Sequence, residues 1–155
     1  MRKIRILTGE IKTGKTTRLM YWAASQKNID GIFQPVIDEK RFVYHIGSRT
    51  LKPLETTESE EVTSIGKYNF SNQTFLWSQN ILSECAAKNL EWIIVDEIGP
   101  LELQDKGLEP AISKLFSERE KIQAQILCVV RDSILEKFVE HYGLQNDYEI
   151  FELEE

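Results

Sequence analysis

The spacing of apolar positions changes period several times along the chain, and each change predicts an element. Ile4, Ile6 and Leu7 stand between Lys3 and Thr8 and stop at Gly9, the pattern of a short strand. After Gly14 the period lengthens: Leu19, Met20, Trp22 and Ala23 form a helical stripe that reaches about Gln26 and ends before Asp30-Gly31. The chain therefore opens as strand, glycine-bearing loop and helix. Ile32, Phe33, Val36 and Ile37 form one β-prone run and Phe42, Val43, Tyr44 and Ile46 the next, parted by Asp38-Glu39-Lys40. They predict an antiparallel hairpin inserted after the first helix, over about residues 31–54, with room for a third strand at its end.

Residues 55–64 are acidic and rich in Thr and Ser, the composition of a solvated loop. Ser71 or Asn72 can cap a helix that carries Phe75, Leu82, Cys85 and Ala86 on one side and ends near Asn89. Trp92-Ile93-Ile94-Val95 is a continuous apolar run closed by Asp96-Glu97, as expected of a parallel strand buried on both faces. Pro110 sits where a helix with Ile112, Leu115 and Phe116 would begin. Residues 124–130 form another apolar run, and 133–142 another helix, with Ile134, Leu135, Phe138 and Val139 inward and Gly143 as its stop. A last strand at about 147–151 precedes an acidic tail. Strands alternating with helices predict an α/β fold with a mostly parallel sheet, and without a repeat or linker residues 1–155 read as one domain.

Composition narrows the partners. With 155 residues, 41% of them hydrophobic, the chain can bury a core without disulfides or a structural metal. Its 25 acidic residues exceed its 19 basic ones, for a net charge of −6, which argues against a broad nucleic-acid surface or an acidic membrane. One small anion in a local pocket stays compatible with that balance. Cys85 and Cys128 lie in apolar stretches without Cys or His at ligand spacing and read as reduced core thiols. Too few apolar residues follow Met1-Arg2-Lys3 for a signal peptide, and no run is long enough to span a bilayer, so a cytoplasmic location is expected.

The chemistry concentrates in two places. Gly9-Glu10-Ile11-Lys12-Thr13-Gly14-Lys15-Thr16 fits G-x-x-x-x-G-K-[ST], the P-loop pattern, with a predicted strand before it and a helix after it. Gly9 and Gly14 let successive N–H groups turn inward toward phosphate oxygens, and the helix from Lys15 adds its positive end. Lys15 brings an ammonium to the β- and γ-phosphates, and the Thr16 hydroxyl can ligate Mg²⁺. Thr17 can support the loop by a hydroxyl contact, Arg18 suits the solvated helix face, and Lys12 can either touch phosphate or point outward. In the second place, Asp96 stands at the carboxyl end of a buried strand, where ligands bind in an open parallel sheet, and can anchor Mg²⁺. Glu97, on the other side of the strand end, can orient or deprotonate water. The bland alternative for the pair is a polar strand exit into the Gly99-Pro100 turn. Arg131 leaves the same sheet edge; it can face the γ-phosphate or be a surface arginine near the Asp132-Ser133 helix cap. His45 and His141 lack a metal or nucleophile pattern, and Trp22, Trp77 and Trp92 read as packing, with base stacking as the alternative.

Gly9 through Thr17, the Ile65-Gly66-Lys67-Tyr68 segment and above all Val95-Asp96-Glu97-Ile98-Gly99-Pro100-Leu101-Glu102-Leu103 resemble the small P-loop nucleoside-triphosphatases first named from thermophilic organisms, the THEP-type NTPases. The resemblance covers nearly the whole chain. It implies Mg²⁺-dependent hydrolysis of ATP, GTP and other nucleoside triphosphates, slow and broad in base choice. It also implies a three-layer α/β P-loop sandwich with a β-hairpin insertion. Gly14, Lys15 and Thr16 would serve the phosphates, and Asp96 and Glu97 the metal and water. Where that family usually has Pro-Gly inside the loop this chain has Ile11-Lys12, and its hairpin lacks a Thr and Glu near Gln34 and Val36. Two other functions use the same cradle: a nucleotide or small-molecule kinase, and a nucleotide-dependent switch with vestigial hydrolysis. A kinase needs an acceptor pocket and an arginine-rich lid, and the seven arginines show no cluster after the P-loop, which favours hydrolysis.

Overall fold

The computed structural model describes residues 2–9, 14–56, 62–65 and 68–153. Glu10, Ile11, Lys12 and Thr13 of the expected phosphate loop, and Gly66 and Lys67, lie outside the described residues. In chain order the elements are β1 (Ile4–Gly9), α1 (Lys15–Ala24), β2 (Ile29–Phe33), β3 (Val36–Ile37), β4 (Lys40–His45), β5 (Thr50–Pro53), β6 (Val62–Ile65), β7 (Tyr68–Ser71), α2 (Asn72–Ala86), β8 (Trp92–Val95), α3 (Ala111–Ser117), β9 (Gln125–Arg131), α4 (Leu135–His141) and β10 (Glu149–Ile150). Short 3₁₀ turns occupy Glu102–Gln104 and Asp132–Ile134.

Eight strands form one open sheet in the order β10-β1-β9-β8-β2-β4-β3, with β5 also on β4. The first five are parallel; β4 runs antiparallel to β2, β3 and β5. Alternation along the central strands explains why they read as unbroken apolar runs. Ile93 and Val95 of β8, Ile126, Cys128 and Val130 of β9, and Ile4 and Ile6 of β1 pack with residues of α2, α3 and α4. Ile94, Leu127, Val129 and Leu7 point the other way, onto Leu19 and Ala23 of α1. Each such burial is worth about 1.5–3 kcal/mol, so both faces of the sheet are held by helices. The expected three-layer sandwich with a mostly parallel sheet is the observed one.

The hairpin differs from its expected boundary. Its turn is at Asp38 and Glu39, both at positive φ (50° and 66°), and the third strand is β5. Its first arm, however, starts as a strand of the parallel sheet: β2 pairs along β8 from Ile29↔Trp92 to Ile32↔Val95 before the chain reaches β3. Asp30-Gly31 looks like a helix stop in sequence, and this hid the start of β2. Asp30 is instead buried, its carboxylate accepting from the N–H of Gly31 (2.7 Å) and Gly47 (2.9 Å) and from Lys88 Nζ (2.8 Å), with His45 Nε2 at 2.9 Å. Part of the expected loop at 55–64 is also a strand, β6, paired with β7.

The remaining elements follow their signals closely. Ser71 Oγ accepts from the N–H of Thr74 and caps α2 (3.2 Å), and Gly143, at φ 63°, follows α4. Trp22 and Trp92 meet edge to face with ring centroids 4.9 Å apart, and both touch Phe151, while Trp77 packs edge-on to His45. All three tryptophans are thus engaged in packing. No helix among the described residues is long and apolar enough to cross a membrane.

Gly31 is the tightest point between β2 and β8. A Cβ there would fall 2.2 Å from the Ile94 carbonyl oxygen and 2.6 Å from its nitrogen, and φ is 128°. Gly31→Ala is expected to cost at least about 3 kcal/mol in urea denaturation, because main chain must move on both strands; a cost below about 1 kcal/mol would show the approach to be looser than this.

Candidate active site

The sheet order puts the ends of β1, β9 and β8 side by side. Gly9, the last residue of β1, stands in register with Arg131, the last residue of β9, and Val95 in register with Cys128. Every polar residue emerging from these ends therefore reaches the same edge. After Gly14, at φ 76°, α1 begins at Lys15 with its N-terminus at this edge. The Lys15 side chain folds back across the start of the loop: a Cβ on Gly9 would sit 3.8 Å from its Nζ. Thr17 and Arg18 are exposed.

Thr16 and Asp96, 80 positions apart, meet here. The Thr16 hydroxyl donates to Asp96 Oδ2 at 2.9 Å, and the Gln34 N–H donates to the same oxygen at 2.9 Å. The Gln34 side-chain amide donates to the Asp96 carbonyl oxygen at 3.0 Å, tying the end of β2 to the end of β8. Asp96 is fully buried, and its Oδ1 has no hydrogen-bond partner among the described residues. Burial pushes the Asp96 carboxyl up to about 6; the Gln34 and Thr16 hydrogen bonds oppose the shift and the neighbouring Glu97 charge adds to it. A buried oxygen without a donor, beside a hydroxyl, is a setting that a hard divalent cation would complete, and both side chains offer the oxygen ligands such a cation takes.

Glu97 adopts a left-handed backbone (φ 61°), uncommon for a residue with a side chain. Its Oε1 accepts from Arg131 Nε at 3.1 Å and forms an ion pair with Arg131 Nη2 at 3.0 Å, and Arg41 Nη1 lies 3.7 Å from the same oxygen. Arg131 thus does reach the edge expected of it, where it grips Glu97, a contact that neither reading of it from sequence contained. Sequence reasoning also missed Gln34, Arg41 and the role of Glu102. Gln34 ends an apolar strand as Asp96 does, and that shared position was the available signal; Arg41, inside the hairpin, gave none.

Glu102 locks the chain after Glu97. Its Oε1 accepts from the Gly99 N–H at 2.7 Å and its Oε2 from the Leu108 N–H at 3.0 Å. Gly107 must lack a Cβ because one would collide with Glu102 Oε2. Burial pushes the Glu102 carboxyl up to about 7, against the pull of those N–H groups.

A P-loop nucleotide-binding protein is the class these elements define: strand, glycine-flanked loop and helix, with the acidic strand end hydrogen-bonded to the helix. Comparison with known proteins narrows the class. A family model described as NTPase matches residues 4–155, and the chain belongs to that family. Nucleoside-triphosphatase THEP1 from Thermotoga maritima and from Thermotoga sp. strain RQ2 are each 29% identical to it over 157 aligned residues, covering 97% of this chain and 86% of theirs. The crystal structure of THEP1 from the hyperthermophile Aquifex aeolicus superimposes with a TM-score of 0.76 at 19% identity, covering 97% of this chain and 89% of that one. The solution structure of a human cancer-related nucleoside triphosphatase gives 0.69 at 19% identity, covering 97% and 88%. These two likenesses establish the fold.

Because the folded Glu102 holds its proton to about pH 7 and an unfolded glutamate only to about 4.5, its contribution to stability is full below pH 4.5 and is lost as pH rises to 7. Glu102→Gln removes this titration. The advantage of the native chain in Tm over the variant is expected to shrink between pH 4.5 and 8 by on the order of 5 °C; a constant difference across that range would contradict a raised carboxyl.

Proposed function

We propose that the chain hydrolyses nucleoside triphosphates, ATP and GTP among them, to the diphosphate and inorganic phosphate in a Mg²⁺-dependent reaction in the cytoplasm. The observation that carries this reading is the Thr16–Asp96 hydrogen bond, which brings the P-loop hydroxyl and the β8 carboxylate to one point. Membership of the NTPase family supports it.

In this reading the N–H groups of Gly9, Glu10, Ile11, Lys12, Thr13 and Gly14 cradle the phosphates, Thr17 steadies the loop, and the positive end of α1 faces the same charge. Lys15 neutralises the β- and γ-phosphates. Thr16 and Asp96 would hold the ion, and Mg²⁺ bound there would offset charge on the β- and γ-phosphate oxygens. Glu97 orients the attacking water: the contacts of Arg131 and Arg41 both end on Oε1, so Oε2 is the oxygen to accept the proton. The water oxygen bonds to the γ-phosphorus as the bond to the β-phosphate oxygen breaks, giving the diphosphate and phosphate. Arg131 in this geometry positions Glu97.

Phosphate release from ATP and GTP, measured with Mg²⁺, tests the reading. Glu97→Gln is expected to lower kcat about 100-fold or more while nucleotide still binds, and Lys15→Ala to weaken nucleotide binding as well. A Glu97→Gln variant that turns over at the native rate would remove Glu97 from the reaction. Binding without any turnover in the native chain would favour a switch, and phosphate appearing on an acceptor instead of in solution would favour a kinase.

A further inference from the structure

Beyond Glu97 the carboxyl edge of the sheet opens into a cavity of about 690 Å³, bounded by the β3–β4 hairpin, β7, the start of α2 and the chain after Glu97. Attack on a γ-phosphate needs space for one water, roughly 30 Å³. The cavity instead has the volume of small-molecule sites, about 300–1,000 Å³, and their character: mostly apolar walls with a few polar groups. Leu54, Phe70, Phe75 and Leu101 supply the apolar surface, and the Tyr68 and Phe70 rings stack with centroids 6.3 Å apart and planes within 20°. Such a wall suits a flat ring.

The charged residues of its described lining are Arg41 and Arg131 with Glu39, Glu55, Glu97 and Glu102. Two guanidinium groups, Arg131 and Arg41, converge on the single Glu97 oxygen, and Arg41 reaches it only at 3.7 Å, beyond hydrogen-bonding distance. Planar arginine forks match the oxygens of a phosphate or carboxylate, so a second anion here would find donors that Glu97 does not use. Glu39 and Glu55 also line the cavity and can accept from the amino groups of a ring. With Lys15 and Thr16 read as the phosphate-binding residues, the substrate triphosphate does not fill this space. Lys15 and Thr16 address its β- and γ-phosphates, so its terminal phosphate is the part nearest Glu97 and its nucleoside extends away; none of Lys15, Thr16 and Asp96 lines the cavity.

We propose that this cavity is a second ligand site for a nucleobase-sized aromatic molecule carrying one anionic group, of which a nucleoside monophosphate is the model. Its ring lies against Tyr68 and Phe70, and its anion engages Arg41 and Arg131. By drawing Arg41 off Glu97, while Arg131 keeps its grip and positions the carboxylate, the ligand lifts one positive charge from the group that orients water and speeds hydrolysis. The exclusion of the substrate from the cavity and this last step rest on the hydrolase reading.

The test titrates AMP, GMP, CMP and UMP by calorimetry into the full chain saturated with Mg²⁺ and a non-hydrolysable ATP analogue. At least one is expected to bind with 1:1 stoichiometry without displacing the analogue. Tyr68→Ala and, separately, Arg41→Ala should weaken that binding tenfold or more while affinity for the analogue stays within twofold. Phosphate release from ATP should rise several-fold over the same concentration range. Monophosphates that fail to bind, or bind only by displacing the analogue, overturn the site, as does affinity untouched by both substitutions. Binding with an unchanged hydrolysis rate overturns the link to Glu97. A chain that binds the monophosphate yet hydrolyses nothing in either condition retains the site and loses the hydrolase reading, while normal hydrolysis without monophosphate binding does the reverse.

Discussion

The hydrogen bond from the Thr16 hydroxyl to the buried Asp96 carboxylate is the contact on which the site depends. It links the first turn of α1 to the end of β8 across β9, at a distance of 2.9 Å, although 80 residues separate the partners in sequence. Such a contact forms only if the parallel sheet is complete, since β9 must enter between β1 and β8 after both have been made. The sheet in turn requires apolar side chains on both faces of its central strands and helices on both sides. Site and core are therefore one construction, and a loss of register in β8 would turn Asp96 to the wrong face.

Burial sets the chemistry at that point. A carboxylate out of water is costly to ionise, and the two donors on Asp96 Oδ2 offset only part of the cost. Its other oxygen faces no donor among the described residues. A divalent cation restores what burial removes, which makes the pair a better place for a metal than either residue alone. Glu97, next in the chain, is treated oppositely: it stays partly exposed and is held by arginines from β9 and β4. Adjacent acidic residues thus receive different environments, and the left-handed backbone at Glu97 sends its side chain away from Asp96 toward the cavity.

The parts of this arrangement that were legible in sequence are those written locally. Gly14 and Lys15 mark the start of α1, and four apolar residues before Asp96-Glu97 announce a buried strand end. Ser71 and Gly143 mark helix boundaries correctly because capping depends on a few neighbouring residues. What escaped was set by tertiary contact. Asp30-Gly31 resembles a turn, yet Lys88 and the N–H of Gly47, both far along the chain, satisfy the buried Asp30 and let β2 continue. The grip of Arg131 on Glu97 and the involvement of Gln34 and Arg41 depend on which strand ends become neighbours, and a single sequence does not display the strand order. The cavity escaped for the same reason, since the described residues of its walls come from five separate segments.

The central claim is that Asp96 and Thr16 together form the metal-binding point of a nucleotide site. Electron paramagnetic resonance of Mn²⁺, titrated into the protein with a non-hydrolysable ATP analogue, reads metal affinity without turnover. Asp96→Asn is expected to weaken Mn²⁺ binding by about tenfold or more, with a smaller loss for Thr16→Val and a double variant that loses less than the two losses combined. Native-like Mn²⁺ affinity in Asp96→Asn would contradict the account.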